Sequence, residues 1–230
     1  MRGGYTALHH AAERGPVRRM ELLIEYGANI NSGTRPHQET ALHLATYHGD
    51  ISKLRLLLND RRTEIDSQNA DGDTTLHLAI LRFRTTEAMK LLFDNDASSE
   101  IKGRNGYTPL QYALSLDLEE KSRFLLENRA KPDAQDYNGR TPLHQAVASD
   151  RITLEFIRQL VEAGAIVDQQ DKKKRTALYE AVKFNKRDVM YYLIDNGASC
   201  EIGNSGLQRR LQGVQFWRTF YSRLPWPLGN

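Results

Sequence analysis

Six four-residue segments headed by threonine recur along the chain at a near-constant interval, and that regularity limits the folds open to it. They are Thr6-Ala7-Leu8-His9, Thr40-Ala41-Leu42-His43, Thr74-Thr75-Leu76-His77, Thr108-Pro109-Leu110-Gln111, Thr141-Pro142-Leu143-His144 and Thr176-Ala177-Leu178-Tyr179. Their leading threonines lie 34, 34, 34, 33 and 35 residues apart. A length of 230 residues would admit one large globular domain or two small ones, but self-similarity at this period is the signature of a repeat array. A second motif recurs later in most units, as Leu22-Leu23-Ile24-Glu25-Tyr26-Gly27-Ala28, Leu125-Leu126-Glu127-Asn128-Arg129-Ala130, Leu160-Val161-Glu162-Ala163-Gly164-Ala165 and Leu193-Ile194-Asp195-Asn196-Gly197-Ala198.

Local chemistry writes the same structure into each unit. The threonine hydroxyl can cap a first helix, and Pro109 and Pro142 stand at the first helical position, where a missing N–H costs nothing. Leu8, Ala11 and Ala12, like Leu42 and Ala45 or Leu143 and Ala146, put small and branched apolar residues on one helical face. A second helix carries the paired leucines and is expected to stop near Gly27, Gly164 and Gly197, since glycine takes the left-handed conformation freely. Between units, Asp136-Tyr137-Asn138-Gly139-Arg140 has the chemistry of a hairpin tip. No single helix pair can bury its apolar face alone, so the units must stack on their neighbours.

These residues resemble the ankyrin repeat, whose period and Thr-Pro-Leu-His-x-Ala signature they reproduce from residue 1 to about 202. The resemblance implies an all-α repeat solenoid of stacked helix-turn-helix units with β-hairpin tips. Six units are expected, starting near 4, 38, 72, 106, 139 and 174. It also implies a non-catalytic interaction scaffold, one that meets a protein partner through hairpin tips and the concave inner-helix face. The residues expected to do so are Tyr5, Arg14, Tyr47, His48, Leu81, Arg82, Tyr107, Arg140, Arg175, Lys183 and Phe184. Tyrosine and arginine are prominent among them, the types enriched at interface hot spots. The alternative reading is an adaptor that recruits a substrate to an enzyme complex such as a ubiquitin ligase, or a fragment of a larger multidomain ankyrin protein.

Four units depart from the pattern. The second has Asn59-Asp60-Arg61-Arg62-Thr63-Glu64 where Gly-Ala is usual, so its outer helix is expected to exit differently. The third has Asp96 in place of glycine and one extra residue. The fifth has two extra residues between Asp150 and Leu160, expected to lengthen the join between its helices. The tip of the first is also longer, and Pro36 disfavours a regular strand there.

Composition narrows the function classes. Cys200 is the only cysteine, so disulfide scaffolding within the chain is excluded and a reducing compartment, cytoplasm or nucleus, is expected. No apolar run approaches the roughly 18 residues of a membrane-spanning helix, and residues 1–20 contain four arginines and no apolar signal core. The formal charge is +3, but residues 203–230 carry four arginines and no acid, which leaves the preceding 202 residues at −1. A near-neutral body is not that of a nucleic-acid tracker.

Seven histidines invite a metal reading, yet His9, His43, His77 and His144 occupy one place in successive units and never share a helix turn. The resemblance makes them structural, bonding near the hairpin base. No metal, cofactor or catalytic set is expected, and no phosphate-binding glycine loop or His-Glu-x-x-His is present. Cys200 reads as a compact apolar side chain. Asn31 occupies the place of the family's asparagine-hydroxylation acceptor, and its expected role is to tie down its own tip. Lys172-Lys173-Lys174-Arg175 reads as a solvated tip beside Asp168 and Asp171, with an acidic-partner contact as its second reading and a nucleic-acid or nuclear-import patch as its third.

After Gly203 the repeat stops, and Leu207, Leu211, Val214, Trp217, Tyr221 and Leu224 form a helical stripe. This basic aromatic tail, 203–230, is expected to cap the last unit, with contact to a partner or an acidic membrane as the other reading. Leu224-Pro225-Trp226-Pro227-Leu228 faintly resembles the end of the box that recruits ubiquitin-ligase scaffolds. At the other end half of the first hairpin is missing before Thr6, as expected for a piece of a longer array. The protein is expected to be a monomer.

Overall fold

The computed structural model describes residues 4–199, so the expectations for the tail and for Cys200 lie outside the described residues. Twelve α-helices are present among these residues. The six headed by the threonine segments are α1 (Ala7–Arg14), α3 (Ala41–Tyr47), α5 (Thr75–Arg82), α7 (Pro109–Ser115), α9 (Pro142–Ala148) and α11 (Ala177–Lys183). Each is followed by a second helix: α2 (Val17–Glu25), α4 (Ile51–Leu58), α6 (Glu87–Phe93), α8 (Glu119–Glu127), α10 (Leu154–Glu162) and α12 (Arg187–Asp195). The first set is the inner row and the second the outer row of an all-α repeat fold. The chain divides into two compact units, Met1–Lys131 and Pro132–Asn230.

In the first unit α1, α3, α5 and α7 are packed each on the next, and α2, α4 and α6 do the same behind them. The inner row buries Leu8, Ala11, Leu42, Ala45, Leu76, Ala79, Leu110 and Ala113, the repeated leucine–alanine pairs of the sequence. Alanine at the contact lets neighbouring inner helices approach closely, while Leu54, Leu57, Met89, Leu92 and Leu125 fill the space behind them. In the second unit α9 meets α11 and α10 meets α12, around Leu143, Phe156, Leu160, Leu178 and Leu193.

Helix starts are set as the threonines foretell. The hydroxyls of Thr6, Thr40 and Thr108 accept the backbone N–H three residues on, and the residue at that place, His9, His43 or Gln111, accepts the threonine's own N–H in return. The return bond is also made by His77 to Thr74 and by His144 to Thr141. Outer helices α10 and α12 end on Gly164 and Gly197, with φ of 98° and 90°. Asp96 and Arg129 take the same left-handed turn without glycine. The second repeat avoids it: Asp60 accepts the backbone N–H of Arg62, and the Thr63 hydroxyl donates 2.6 Å to the Leu57 carbonyl, closing the helix with side chains. The longest join is in the fifth repeat, five residues between Ala148 and Leu154.

Tips lie between the pairs and are closed by backbone bonds across their base and turn, such as Asp136 N–H to the Arg140 carbonyl and Gly139 N–H to the Asp136 carbonyl, both at 2.9 Å. Among the described residues they form a single β-bridge, Gln68 with Thr74. Buried Asp136 and Asp171 hold their own tips by accepting the N–H groups two and four residues ahead. Side chains then latch one repeat to the next. Asn31 donates 2.7 Å to the Arg62 carbonyl and accepts from Glu64 N–H, so it ties the following repeat instead of only its own tip. Asp66 accepts Ser98 N–H, Glu100 accepts Lys131 N–H and Asp168 accepts Ser199 N–H in the same way.

Buried lysines make a further set of latches. Lys53 donates 3.0 Å to the Ala12 carbonyl, and Lys121 donates to the carbonyls of Ile80 and Phe83 at the end of α5. Burial pushes the Lys121 pKa down, while Glu120 pulls it back. A cation is favourable at a helix C-terminus, where the dipole and unpaired carbonyls are negative. Replacing Lys121 with Met should therefore cost about 2 kcal/mol, because two carbonyls lose a charged donor. A urea denaturation midpoint equal to that of the parent would show the latch to be energetically idle.

Candidate protein-binding surface

Two recurring positions make up the candidate surface. The first lies seven and eight residues after each leading threonine, at the C-terminal end of the inner helix: Glu13-Arg14, Tyr47-His48, Leu81-Arg82, Ser115-Leu116 and, in the second unit, Ala148-Ser149 and Lys183-Phe184. Inner helices stop there, so side chains lean outward past the last packed turn. Tyr47 is 42% exposed, Leu81 46% and Phe184 42%. The second position directly precedes the threonine and holds Tyr5, Glu39, Tyr107, Arg140 and Arg175, all half-buried, and buried Asp73.

At the inner-helix ends of the first unit three of the expected residues, Tyr47, His48 and Arg82, come together. The Arg82 guanidinium lies over the Tyr47 ring, 3.6 Å from its centroid, and Arg82 Nε donates 2.8 Å to the Tyr47 carbonyl. His48 meets the same tyrosine edge-on, with ring centroids 5.5 Å apart. Leu116, which the same offset would have identified in the sequence, is exposed at the end of α7 beside α5. In the second unit Lys183 Nζ stands 4.5 Å from the Phe184 ring centroid and 3.7 Å from Glu180. A cation on an exposed aromatic ring thus occurs in each unit.

The residues before the threonines are tied into the framework. Tyr5 donates 2.6 Å to Glu13, which also receives Arg14 at 2.9 Å. Burial and the Glu13 hydrogen bond push the Tyr5 phenol up, and the same bond with that of Arg14 holds the Glu13 carboxyl below its ordinary range. The Tyr107 carbonyl accepts from His77 Nε2 at 3.1 Å. Arg140 donates to the His144 carbonyl at 3.3 Å. Arg175 is paired with buried Asp171 at 2.6 Å and faces Glu180 at 3.7 Å. Burial pushes Asp171 up, but the hydrogen bonds from Arg175 and from the N–H groups of Arg175 and Lys173 outweigh it and hold the carboxyl low. Lys172, Lys173 and Lys174 stand exposed on that tip.

The four repeated histidines are fully buried. With Nδ1 accepting from threonine N–H, Nε2 carries the proton; it reaches the carbonyls of Ser32, Tyr107 and Arg175 from His9, His77 and His144. They join an inner helix to the next tip, as the resemblance implied. His43 Nε2 finds no hydrogen-bond partner. Among the described residues no group of three or more His, Cys, Asp or Glu is arranged to hold a metal ion, and no helix is long and apolar enough to cross a membrane.

Comparison with known proteins agrees with this architecture. No curated protein matches the sequence. The solved ankyrin repeat domain of Bcl-3, described as a unique member of the IkappaB protein family, is 26% identical with a TM-score of 0.76, covering 93% of this chain and 99% of that one. The ankyrin repeat protein EF0377 superposes with a TM-score of 0.72 at 22% identity, covering 85% of this chain and 98% of its own, which speaks for the fold alone. A family model described as ankyrin repeats (3 copies) matches residues 2–69, 48–136 and 122–204. With nearly every residue of the repeat region matched and the helix pairs, capped starts and tips all in place, the chain belongs to the ankyrin repeat family.

Proposed function

We propose that this chain is a non-catalytic scaffold that binds a protein partner along the ends of its inner helices and the adjoining tips. Ankyrin repeats are in general protein–protein interaction modules, and one observation carries the choice of face. Of nine exposed large apolar side chains among the described residues, four, Tyr47, Leu81, Leu116 and Phe184, sit at inner-helix ends. Tyr47, Leu81 and Leu116 stand at equivalent positions of three consecutive repeats of the first unit, and apolar surface gathered in this way marks an interaction site better than the same residues scattered. Tyr5, Arg14, His48, Arg82 and Tyr107 in the first unit, and Arg140, Arg175 and Lys183 in the second, are the polar and half-buried residues that the reading adds within each unit. The intracellular setting belongs to the same reading and rests on the single cysteine.

Binding is tested with a partner identified by cross-linking to the full chain. The double change Tyr47→Ala with Arg82→Ala should weaken that complex by about 2 kcal/mol or more, since it removes a stacked pair of hot-spot types, with the circular dichroism spectrum unchanged. On the outer-helix side, Leu22→Ala with Tyr26→Ala should leave affinity intact. The reverse pattern would move the interface to the outer row.

A further inference from the structure

Arg82 is exposed, yet it is held in place by the preceding repeat. Its Nε is tied to the Tyr47 carbonyl at 2.8 Å and its plane rests on the Tyr47 ring at 3.6 Å. Those contacts occupy one edge and one face of the guanidinium and leave the terminal N–H fork for another acceptor. None of the carboxylates among the described residues pairs with it. Arg14, Arg55 and Arg104 are instead satisfied by Glu13, Glu87 and Asp71. Beside this fork in sequence stands exposed Leu81, at the end of the same helix.

We propose that the Arg82–Tyr47 pair is the anchor for an acidic, extended segment of the partner protein, in which an Asp or Glu carboxylate seats on the Arg82 fork and a neighbouring apolar side chain covers Leu81. This rests on the reading that the partner meets the inner-helix ends. A planar fork matches a carboxylate with two parallel hydrogen bonds, and because Tyr47 already holds it, little side-chain freedom is lost on binding. Charge complementarity points the same way. His48 stands against Tyr47, nearby Glu13 is taken by Tyr5 and Arg14, Glu39 is half-buried, and a basic partner would meet Arg82 as a like charge. Recognition of phosphate ordinarily draws on a cluster of arginines, and here there is one ordered guanidinium.

The test selects ligands for the full chain from a displayed library of random peptides about a dozen residues long. Selected sequences should place Asp or Glu next to Leu, Ile or Phe. Their affinity should fall about tenfold or more for Arg82→Gln, a folded variant by circular dichroism, and Arg82→Lys should restore only part of it because the ammonium lacks the fork. Several outcomes overturn the proposal: no ligand from the library, neutral or basic ligands, acidic ligands indifferent to Arg82→Gln, or displacement by millimolar inorganic phosphate but not by acetate. Ligands without acids that still lose binding on Tyr47→Ala refute the acidic segment and leave the inner-helix surface standing. Ligands lost only on Leu22→Ala with Tyr26→Ala refute both.

Discussion

Acidification from pH 7 to pH 5 should remove about 2 kcal/mol of folding stability through His43 alone, and about 3 kcal/mol by pH 4. Burial lowers the pKa of this ring from 6.5 to about 4, with the backbone of Asp73 and Ser67 pulling part of the way back. The folded protein therefore keeps the ring neutral while the unfolded chain protonates near 6.5. The unfolded state binds more protons in this window, so the stability is complete above 6.5 and is lost as the pH falls toward 4. Burial lowers His9, His77 and His144 in the same direction, and their losses add to that of His43. The acids act mainly at the low end of this range. Asp60, Asp171 and Glu13, all held low by their hydrogen bonds, add to the loss as the pH approaches 4, and Glu39, raised by burial, acts in the opposite sense. The fourth repeat supplies the control. Gln111 occupies the histidine position and still accepts Thr108 N–H at 3.2 Å, so His43→Gln keeps the helix cap while deleting the titration. Urea denaturation at successive pH values should give a shallower decline for that variant. Parallel declines would place the acid sensitivity elsewhere.

Those histidines also show what a sequence discloses and what it withholds. Period and cap chemistry determine the helix starts, so all six inner helices begin directly after their threonines. Helix ends were legible wherever glycine marks them. They were less so where Asp96 or Arg129 takes the left-handed turn, or where Asp60 and Thr63 replace it, because side-chain hydrogen bonds then do the work of backbone permissiveness. The inner-helix ends could be read from the repeat offset, and Leu116 belonged to that set by position. The Arg82–Tyr47 stack could not. It depends on a side chain reaching back 35 residues to the preceding repeat, and spacing alone does not say whether an arginine lies on a ring or points into water. The latches of Asn31, Lys53 and Lys121 were hidden for the same reason: polar residues on an outer helix or loop look solvated until a neighbouring repeat brings carbonyls to them.

The largest single loss of stability is expected at Phe156. The fifth repeat spends five residues passing from α9 to α10, and Thr153 caps the second helix by accepting Phe156 N–H at 3.3 Å. That start sets Phe156 and Ile157 toward the interior, and Ile152 is buried from within the join itself. Among the described residues, Phe156 is the largest side chain with no exposure to solvent. Its removal withdraws a whole ring from the contact between the two rows. Neighbouring α9 is fixed by its cap and by the His144 bond to the Arg175 carbonyl, so the walls have little freedom to collapse into the space. Phe156→Ala should cost about 4 kcal/mol, the transfer of the ring plus the cavity it leaves. Phe156→Leu, which retains most of the volume, should cost about 1 kcal/mol. In a repeat protein each layer is supported only by its neighbours, so the damage should spread through the helices of the second unit. Hydrogen exchange read residue by residue would show it, with amides of α9 to α12 losing protection first in the alanine variant. Equal losses for alanine and leucine would mean that the ring does not fill the space between the rows.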